Sequence, residues 1–304
     1  MKTDAMSSTA MTQDIQTLLR AASSSLTRAG IPDSRREVET ILAHVLGLTR
    51  LDLYRADALV LDSDQQTVLN GLVHRRADRE PLQYILGTQE FWGLEFRVTP
   101  ETLIPRPETE LLIEAVLEHF GRPETPITLV DLCTGTGCLA VTFATLYPAA
   151  RLFATDLSSP ALDVARFNAS RHGVDGRIEF LEGDLLEPLA KPNGDGFKIR
   201  PHSVDLVLSN PPYIPTDELS TLQPEVRLHE PRLALDGGPD GLDYYRRILP
   251  RALDFLCPGG GLFLEVGIGQ ATLISAMARQ AGWQVDRIKK DLAGIDRVVV
   301  LGKK

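Results

Sequence analysis

The sequence predicts an α/β protein in which a mostly parallel sheet, covered by helices on both faces, follows a small all-helical domain. Beyond residue 126, short apolar and β-branched runs at 127–132, 151–155, 178–181, 204–208 and 262–266 alternate with helical patterns, two of them starting at Gly137 and Pro160. Such alternation makes neighbouring strands parallel and places ligands at their carboxyl ends. Two late strands, near 284–288 and 297–301, have too little chain between them for a helical crossover and should pair antiparallel. That gives a seven-stranded sheet with an antiparallel C-terminal strand. From Thr12 to about Arg79, by contrast, only helical periodicity appears.

Taken in order, residues 1–10 are polar and rich in small side chains and are expected to form a flexible tail. They lack the charged-then-apolar order of a signal peptide, and no apolar run approaches a membrane span, so a soluble, cytoplasmic protein is expected, with no membrane partner. The helical domain spans 11–88: Ile15, Leu18, Leu19 and Ala22 form one stripe, and Val38, Ile41, Leu42, Val45 and Leu46 another. Asp33-Ser34 followed by Glu37 signals a helix start, and Gly47 a stop. The basic cluster His74, Arg75, Arg76 and Arg79 reads as a solvated helix face rather than a partner surface. A hairpin linker at 89–104 is predicted from the aromatic and β-branched run Phe91 to Val98, and it leads into the main domain at 105–304. There Pro105-Arg106-Pro107 stiffens a turn feeding a helix that carries acidic residues in its first turn. The Gly-, Pro- and charge-rich stretch 191–202 reads as a surface insertion.

Lys+Arg 32 against Asp+Glu 41 gives a formal charge of -9, which argues against affinity won mainly by neutralising nucleic-acid phosphates. Cys133, Cys138 and Cys257 form no CxxC spacing, and an odd count suits reduced thiols better than a disulfide framework. No metal site is expected.

The chemistry concentrates where strands end. Cys133-Thr134-Gly135-Thr136-Gly137 lies between the first strand and its helix, where glycines admit a ligand to the backbone and a helix N-terminus favours an anion. Gly135, Gly137 and Ala140 also satisfy the dinucleotide fingerprint, so the loop alone does not name its ligand. Asp156 ends the second strand at the distance expected of a ribose-binding carboxylate; since Ser158 or Ser159 suffices to cap the next helix, ribose is preferred. Asp184 can accept an adenine amino group while Leu185 packs on the ring, or serve as a plain loop aspartate. Asn210-Pro211-Pro212-Tyr213 leaves the fourth strand through two prolines that stop helix and sheet alike. An asparagine carbonyl and a proline-adjacent backbone carbonyl make two stiffly held acceptors, matched to an NH2 group, with a tyrosine as a flat wall.

These motifs resemble those of class I S-adenosylmethionine-dependent methyltransferases that modify planar NH2 nitrogens, and the wider resemblance is to the HemK/PrmC family. It covers nearly the whole chain, through Pro81-Leu82-Gln83-Tyr84-Ile85-Leu86-Gly87, Glu90-Phe91-Trp92-Gly93, Leu103-Ile104-Pro105-Arg106-Pro107-Glu108-Thr109-Glu110, His229-Glu230-Pro231 and Ala234-Leu235-Asp236-Gly237-Gly238. The resemblance implies a Rossmann-like methyltransferase domain behind a helical substrate-recognition domain. It further implies transfer of a methyl group from S-adenosyl-L-methionine, leaving S-adenosyl-L-homocysteine, to the glutamine side-chain amide in the Gly-Gly-Gln motif of peptide chain release factors. Carried over, Cys133, Thr134, Gly135, Thr136 and Gly137 would line the methionine end of the cofactor, Asp156 its ribose, and Asp184 or Leu185 its adenine, with Asn210 touching cofactor and substrate. Asn210, Pro211, Pro212 and Tyr213 would hold the glutamine, and Arg106 would either hold a carboxylate or fix the turn before its helix. Cys133 stands where the family usually has glycine, and Leu185 where an aromatic often follows the acidic residue. The alternative is an adenine-N6 or cytosine-N4 nucleic-acid methyltransferase, whose target amino groups present the same donors; the acidic balance and the lack of an evident target-recognition insertion disfavour it.

Overall fold

The structure, a computed structural model, describes residues 15–55, 60–121, 126–190 and 199–303. The expected tail at 1–10 and most of the 191–202 insertion lie outside the described residues. The chain divides into two compact units, Met1–Leu86 and Gly87–Lys304.

In the first unit, helices α1 (Ile15–Arg28), α2 (Ser34–Leu46), α3 (Arg50–Arg55), α4 (Ser63–Ala77) and α5 (Leu82–Leu86) enclose an apolar core. Leu19 and Leu26 from α1, Val38, Ile41 and Leu42 from α2, and Leu69 and Val73 from α4 meet there, as the helical spacing requires. Gly47 ends α2 in the left-handed conformation, at φ 64°. The predicted start of α2 is built differently: Asp33, at φ 53°, makes no capping bond, and the Ser34 hydroxyl turns back to the Ile31 carbonyl at 2.8 Å. The basic cluster is a solvated face only in part: His74 and Arg75 are exposed, but Arg76 and Arg79 turn inward. Arg75 pairs with Glu80, Arg76 is buried against Glu37 at 2.5 Å, and Arg79 donates to the carbonyls of Ala29 and Gly30. These guanidiniums bond across helix ends and turns, contacts that the spacing within one helix does not reveal.

The second unit opens with a hairpin, β1 (Thr88–Phe91) and β2 (Leu94–Arg97), paired antiparallel. Trp92 and Gly93 at its turn both have positive φ, as a two-residue turn of matching twist needs. Its Phe91 and Phe96 are buried in the core of this unit. Next come α6 (Glu110–Phe120), β3 (Thr128–Leu132), α7 (Cys138–Leu146), β4 (Arg151–Asp156), α8 (Ser159–Arg171), β5 (Ile178–Glu182) and β6 (Val204–Ser209). The chain continues through α9 (Pro224–His229), α10 (Asp243–Phe255), β7 (Leu256–Glu265), α11 (Ala271–Gln280), β8 (Gln284–Lys290) and β9 (Asp296–Gly302). The strands form one sheet in the order β5-β4-β3-β6-β7-β9-β8. Every pairing from β5 to β7 is parallel, and β9 runs antiparallel to both its neighbours, in agreement with the sequence.

Strand alternation sets the two layers. Leu129, Leu206, Leu208, Val298 and Val300 face one side with α6 and α7, whereas Val130, Leu132, Val207, Val299 and Leu301 face the other with α10 and α11. β7 begins earlier than its apolar run, and its register with β6 shifts between the pairs Val204/Leu256 and Leu206/Gly261. Cys257-Pro258-Gly259-Gly260 reads as a breaker in sequence but is absorbed as an irregularity in the strand. No described helix is long and apolar enough to cross a membrane.

Candidate active site

The chain starts its sheet at β3, winds outward to β5 and returns to β6 on the other side of β3, so the strand order reverses between β3 and β6. A crevice at such a reversal is where open α/β sheets bind ligands. Here it is a cavity of about 310 Å3 at the carboxyl ends of β3, β4, β5 and β6. Of the sequence-predicted residues, Arg106, Cys133, Thr134, Gly135, Thr136, Asp156, Asp184, Leu185, Asn210 and Pro212 line it; Gly137, Pro211 and Tyr213 do not.

The loop after β3 is organised by Asp131. Its Oδ2 accepts the Thr134 hydroxyl at 2.6 Å and the Ala140 N–H at 3.2 Å, while its buried Oδ1 has no partner among the described residues. Burial pushes its carboxyl up to about 7. Gly135, at φ 54°, donates its N–H to Asp156 Oδ2 at 2.9 Å and has no atom within 4 Å of where a Cβ would stand. Gly137 serves packing instead. At φ 77° it precedes α7, and a Cβ there would lie 3.0 Å from the Ala165 Cβ, so its bare backbone permits the close approach of α7 to α8. Buried Asn168 of α8 donates to the Thr136 carbonyl at 2.9 Å and bonds the Arg97 backbone through both amide atoms, tying loop and hairpin together. Cys133 holds the left-handed conformation, at φ 58°, which explains a glycine preference at this position; burial pushes its thiol well above the ordinary range.

Asp156 accepts from two backbone donors, Gly135 through Oδ2 and Ser158 through Oδ1, and Ser158 caps α8 through its own hydroxyl. The serine is therefore the cap, and the aspartate, its carboxyl raised by burial, braces the loops after β3 and β4 at the cavity wall. At the β5 end, Asp184 pairs with Arg247 of α10, and Leu185 sits at φ 51°. Tyr244 of α10, unmarked by any sequence motif, also lines the cavity, with Asp184, Asp156 and Cys133 close enough to act on its phenol.

Across the crevice, Leu132 of β3 is in register with Ser209 of β6, whose hydroxyl bonds the Leu132 carbonyl at 2.8 Å. Asn210 follows directly. Its Nδ2 donates to Thr109 Oγ1 at 3.0 Å. The Tyr213 carbonyl accepts from Gln270 Nε2 at 2.8 Å, and Gln270 Oε1 accepts the Gly267 N–H at 2.9 Å. Gly237 and Gly241 pack on the same backbone, so closely that a Cβ on Gly241 would stand 2.3 Å from the Tyr213 oxygen. Tyr213 is thus held behind the cavity wall, where burial raises its phenol above the ordinary value. Arg106 pairs with the buried Glu230 at 2.5 Å, and Glu230 also accepts the Ile104 N–H at 3.4 Å. Arg106 therefore fixes the turn before α6, and the carboxylate it holds is the chain's own. Among the described residues no group of His, Cys, Asp and Glu is placed to hold a metal ion.

The cavity is thus bounded by Asp156, Asp184 and open backbone on the β3–β5 side and by the Asn210 side chain on the β6 side. The PrmC N-terminal domain family matches residues 17–87, and the methyltransferase small domain family matches residues 107–225. The chain is 46% identical to a release factor glutamine methyltransferase of Geobacter sulfurreducens, over 90% of this chain and 91% of that one. It is 44% identical to a release factor glutamine methyltransferase of Cereibacter sphaeroides, over 92% of this chain and 95% of that one. A solved methyltransferase from Pyrococcus furiosus shares the fold, with a TM-score of 0.51 at 17% identity over 80% of this chain and 99% of that one. With such identity sustained over nearly its full length, the chain belongs to the release factor glutamine methyltransferase family.

Proposed function

We propose that this chain transfers a methyl group from S-adenosyl-L-methionine to the side-chain amide nitrogen of the glutamine in the Gly-Gly-Gln motif of peptide chain release factors. The observation that carries the proposal is Asn210, held by Thr109 at the end of β6, one strand away from the glycine loop that follows β3. The residues present fit the cofactor: Gly135 leaves its backbone open, Thr134 and Thr136 flank it, and Asp156 presents carboxylate oxygens for ribose hydroxyls. Asp184, Leu185 and Tyr244 bound the part of the cavity suited to adenine. When bound, S-adenosylmethionine supplies an electrophilic methyl group on a sulfonium, with a thioether as leaving group.

The protein's share of the work lies on the amide. An amide nitrogen is a poor nucleophile because its lone pair is shared with the carbonyl. On this reading Asn210 Oδ1 accepts one N–H bond from the cavity wall and the carbonyl of Pro211, the next residue though not itself a lining one, accepts the other; together they stabilise positive charge as it develops on nitrogen and aim the lone pair. The methylated nitrogen is acidic and loses a proton afterwards, so no strong base is required beforehand. Pro211 and Pro212 fix φ and keep the two acceptors from drifting apart. Tyr213 backs this turn from behind, its carbonyl held by Gln270.

Release factors, the partners, act in translation, so the protein works in the cytoplasm, where Cys133, Cys138 and Cys257, all unpaired, stay reduced. Transfer of labelled methyl to purified release factor, compared with transfer to DNA and RNA, tests the proposal against an amino-directed nucleic-acid methyltransferase. Label in the protein fraction alone is expected; label in nucleic acid would overturn the assignment.

A further inference from the structure

Asparagine has a pseudo-symmetric side chain, and only one of its two orientations offers an acceptor to a substrate NH2. We infer that Thr109 is the residue that sets this orientation: by accepting from Asn210 Nδ2 it turns Oδ1 toward the cavity. The inference deepens the proposed reaction and rests on that reading for its catalytic consequence.

Thr109 stands at the N-cap position before α6, yet its hydroxyl makes no capping bond. A threonine there ordinarily accepts from the helix backbone. Instead, the hydroxyl is buried at the cavity wall and takes the Asn210 amide at 3.0 Å, across 101 residues of sequence. The direction of the bond, from Asn210 Nδ2 to Thr109 Oγ1, agrees with the neighbour on the other side. Glu265, at the end of β7, is 1% exposed, its Oε2 has no hydrogen-bond partner among the described residues, and the Thr109 hydroxyl partly offsets the upward push of burial on its carboxyl. A hydroxyl proton turned toward this buried carboxyl leaves an Oγ1 lone pair for a donor. The Asn210 NH2 is that donor, and among the described residues Oδ1 has no partner within the protein. The reverse orientation would set Nδ2 toward the cavity, where it would meet the substrate NH2 donor to donor.

Thr109 is therefore a positioning residue: it acts through Asn210 and not on the reacting atoms. Thr109→Val keeps the shape and removes the acceptor; Thr109→Ser keeps the acceptor and removes a methyl group. With release factor as substrate, the valine variant should lose roughly 10- to 100-fold in kcat, the scale of a misaligned reacting group, with KM and S-adenosylmethionine affinity changed by less than about 3-fold. The serine variant should stay within about 3-fold of the parent throughout. Should the valine variant fail to fold, Thr109→Ala makes the same comparison. Independently of activity, asparagine-selective nitrogen labelling reads the Asn210 side-chain NH2, assigned by its disappearance in Asn210→Asp. Its protons should exchange slowly with solvent in the parent and serine proteins and quickly in the valine protein. Equal exchange in parent and valine proteins, or a serine variant as impaired as the valine variant, would overturn the inference. A parent protein that methylates no glutamine while showing the exchange pattern would overturn the proposed function and leave the positioning of Asn210 standing.

Discussion

At the glycine-loop end of the cavity, most lining groups come from loops that directly follow β3, β4 and β5, and the first two brace each other: Gly135 bonds Asp156 across 21 residues, and Asp131 bonds Thr134 within the same loop, while α10 adds Tyr244 and an ion pair from Arg247 to Asp184. At the Asn210 end, one strand terminus is clasped by segments from far along the chain. Thr109 reaches Asn210 across 101 residues, Glu230 reaches Arg106 across 124, and Gln270 reaches Tyr213 across 57. The glycine-loop part of the first end needs only β3 and β4 to pair, and α10 completes it beside Asp184. The second requires the turn before α6, the stretch after α9 and the start of α11 all to be in place. The proposed cofactor end is built mainly locally and the proposed substrate end from distant parts, so substitutions at one end should spare the other.

The sharpest break in that comparison is Asn210→Ala. It should lower kcat by about 10^3-fold, since it removes a contact made to the developing charge, while calorimetry should find S-adenosylmethionine affinity within about 3-fold of the parent. A large loss of cofactor affinity would show that the two ends are not separate. Next in size is Glu230→Ala, which leaves the Arg106 guanidinium and the Ile104 N–H without their buried partner. Chemical denaturation should show a loss of about 3–5 kcal/mol. Glycines give a matched pair. Gly241→Ala sets a methyl group against the Tyr213 oxygen and the Gln270 amide at positive φ, and should cost about 3 kcal/mol; Gly135→Ala carries only the positive φ and should cost about 1 kcal/mol. Equal costs would mean that the clasp yields freely.

A further effect is one of pH. Burial raises the Glu265 carboxyl from 4.5 to about 7, so between those values the folded protein holds a proton that the unfolded chain has released. This group's contribution to stability is thus fully present below 4.5 and is lost as pH rises through 7. Glu265→Gln cannot ionise, so its stability relative to the parent should be greater at about pH 8 than at about pH 5, as read by thermal melting at both. A difference independent of pH would show that the carboxyl titrates normally.

Legibility in the sequence follows the same division. The glycine loop, Asp156 and Asp184 are readable because strand ends and turn residues announce themselves locally, and the antiparallel end of the sheet follows from a short final connection. Asn210-Pro211-Pro212-Tyr213 is visible as a stiff pair of acceptors, but not what holds it: Thr109 sits within a conspicuous segment without revealing its partner, and Gln270 and Tyr244 belong to stretches that carry no motif. Gly137 reads as a ligand glycine and serves helix packing instead, a distinction made only by Ala165 on the neighbouring helix. The start of β7 is hidden because glycine and proline read as breakers, while a bulge lets the sheet absorb them. Arg76 and Arg79 read as part of a solvated face because their partners lie beyond the helix that carries the cluster, whereas His74 and Arg75 are exposed as read.

The most direct test of the central claim is mass spectrometry of release-factor peptides before and after incubation with this protein and S-adenosylmethionine. The account predicts a gain of about 14 mass units, one methyl in place of hydrogen, on the glutamine of the Gly-Gly-Gln peptide and on no other residue. An unmodified glutamine, or a methyl group found on another residue of the release factor, would contradict it.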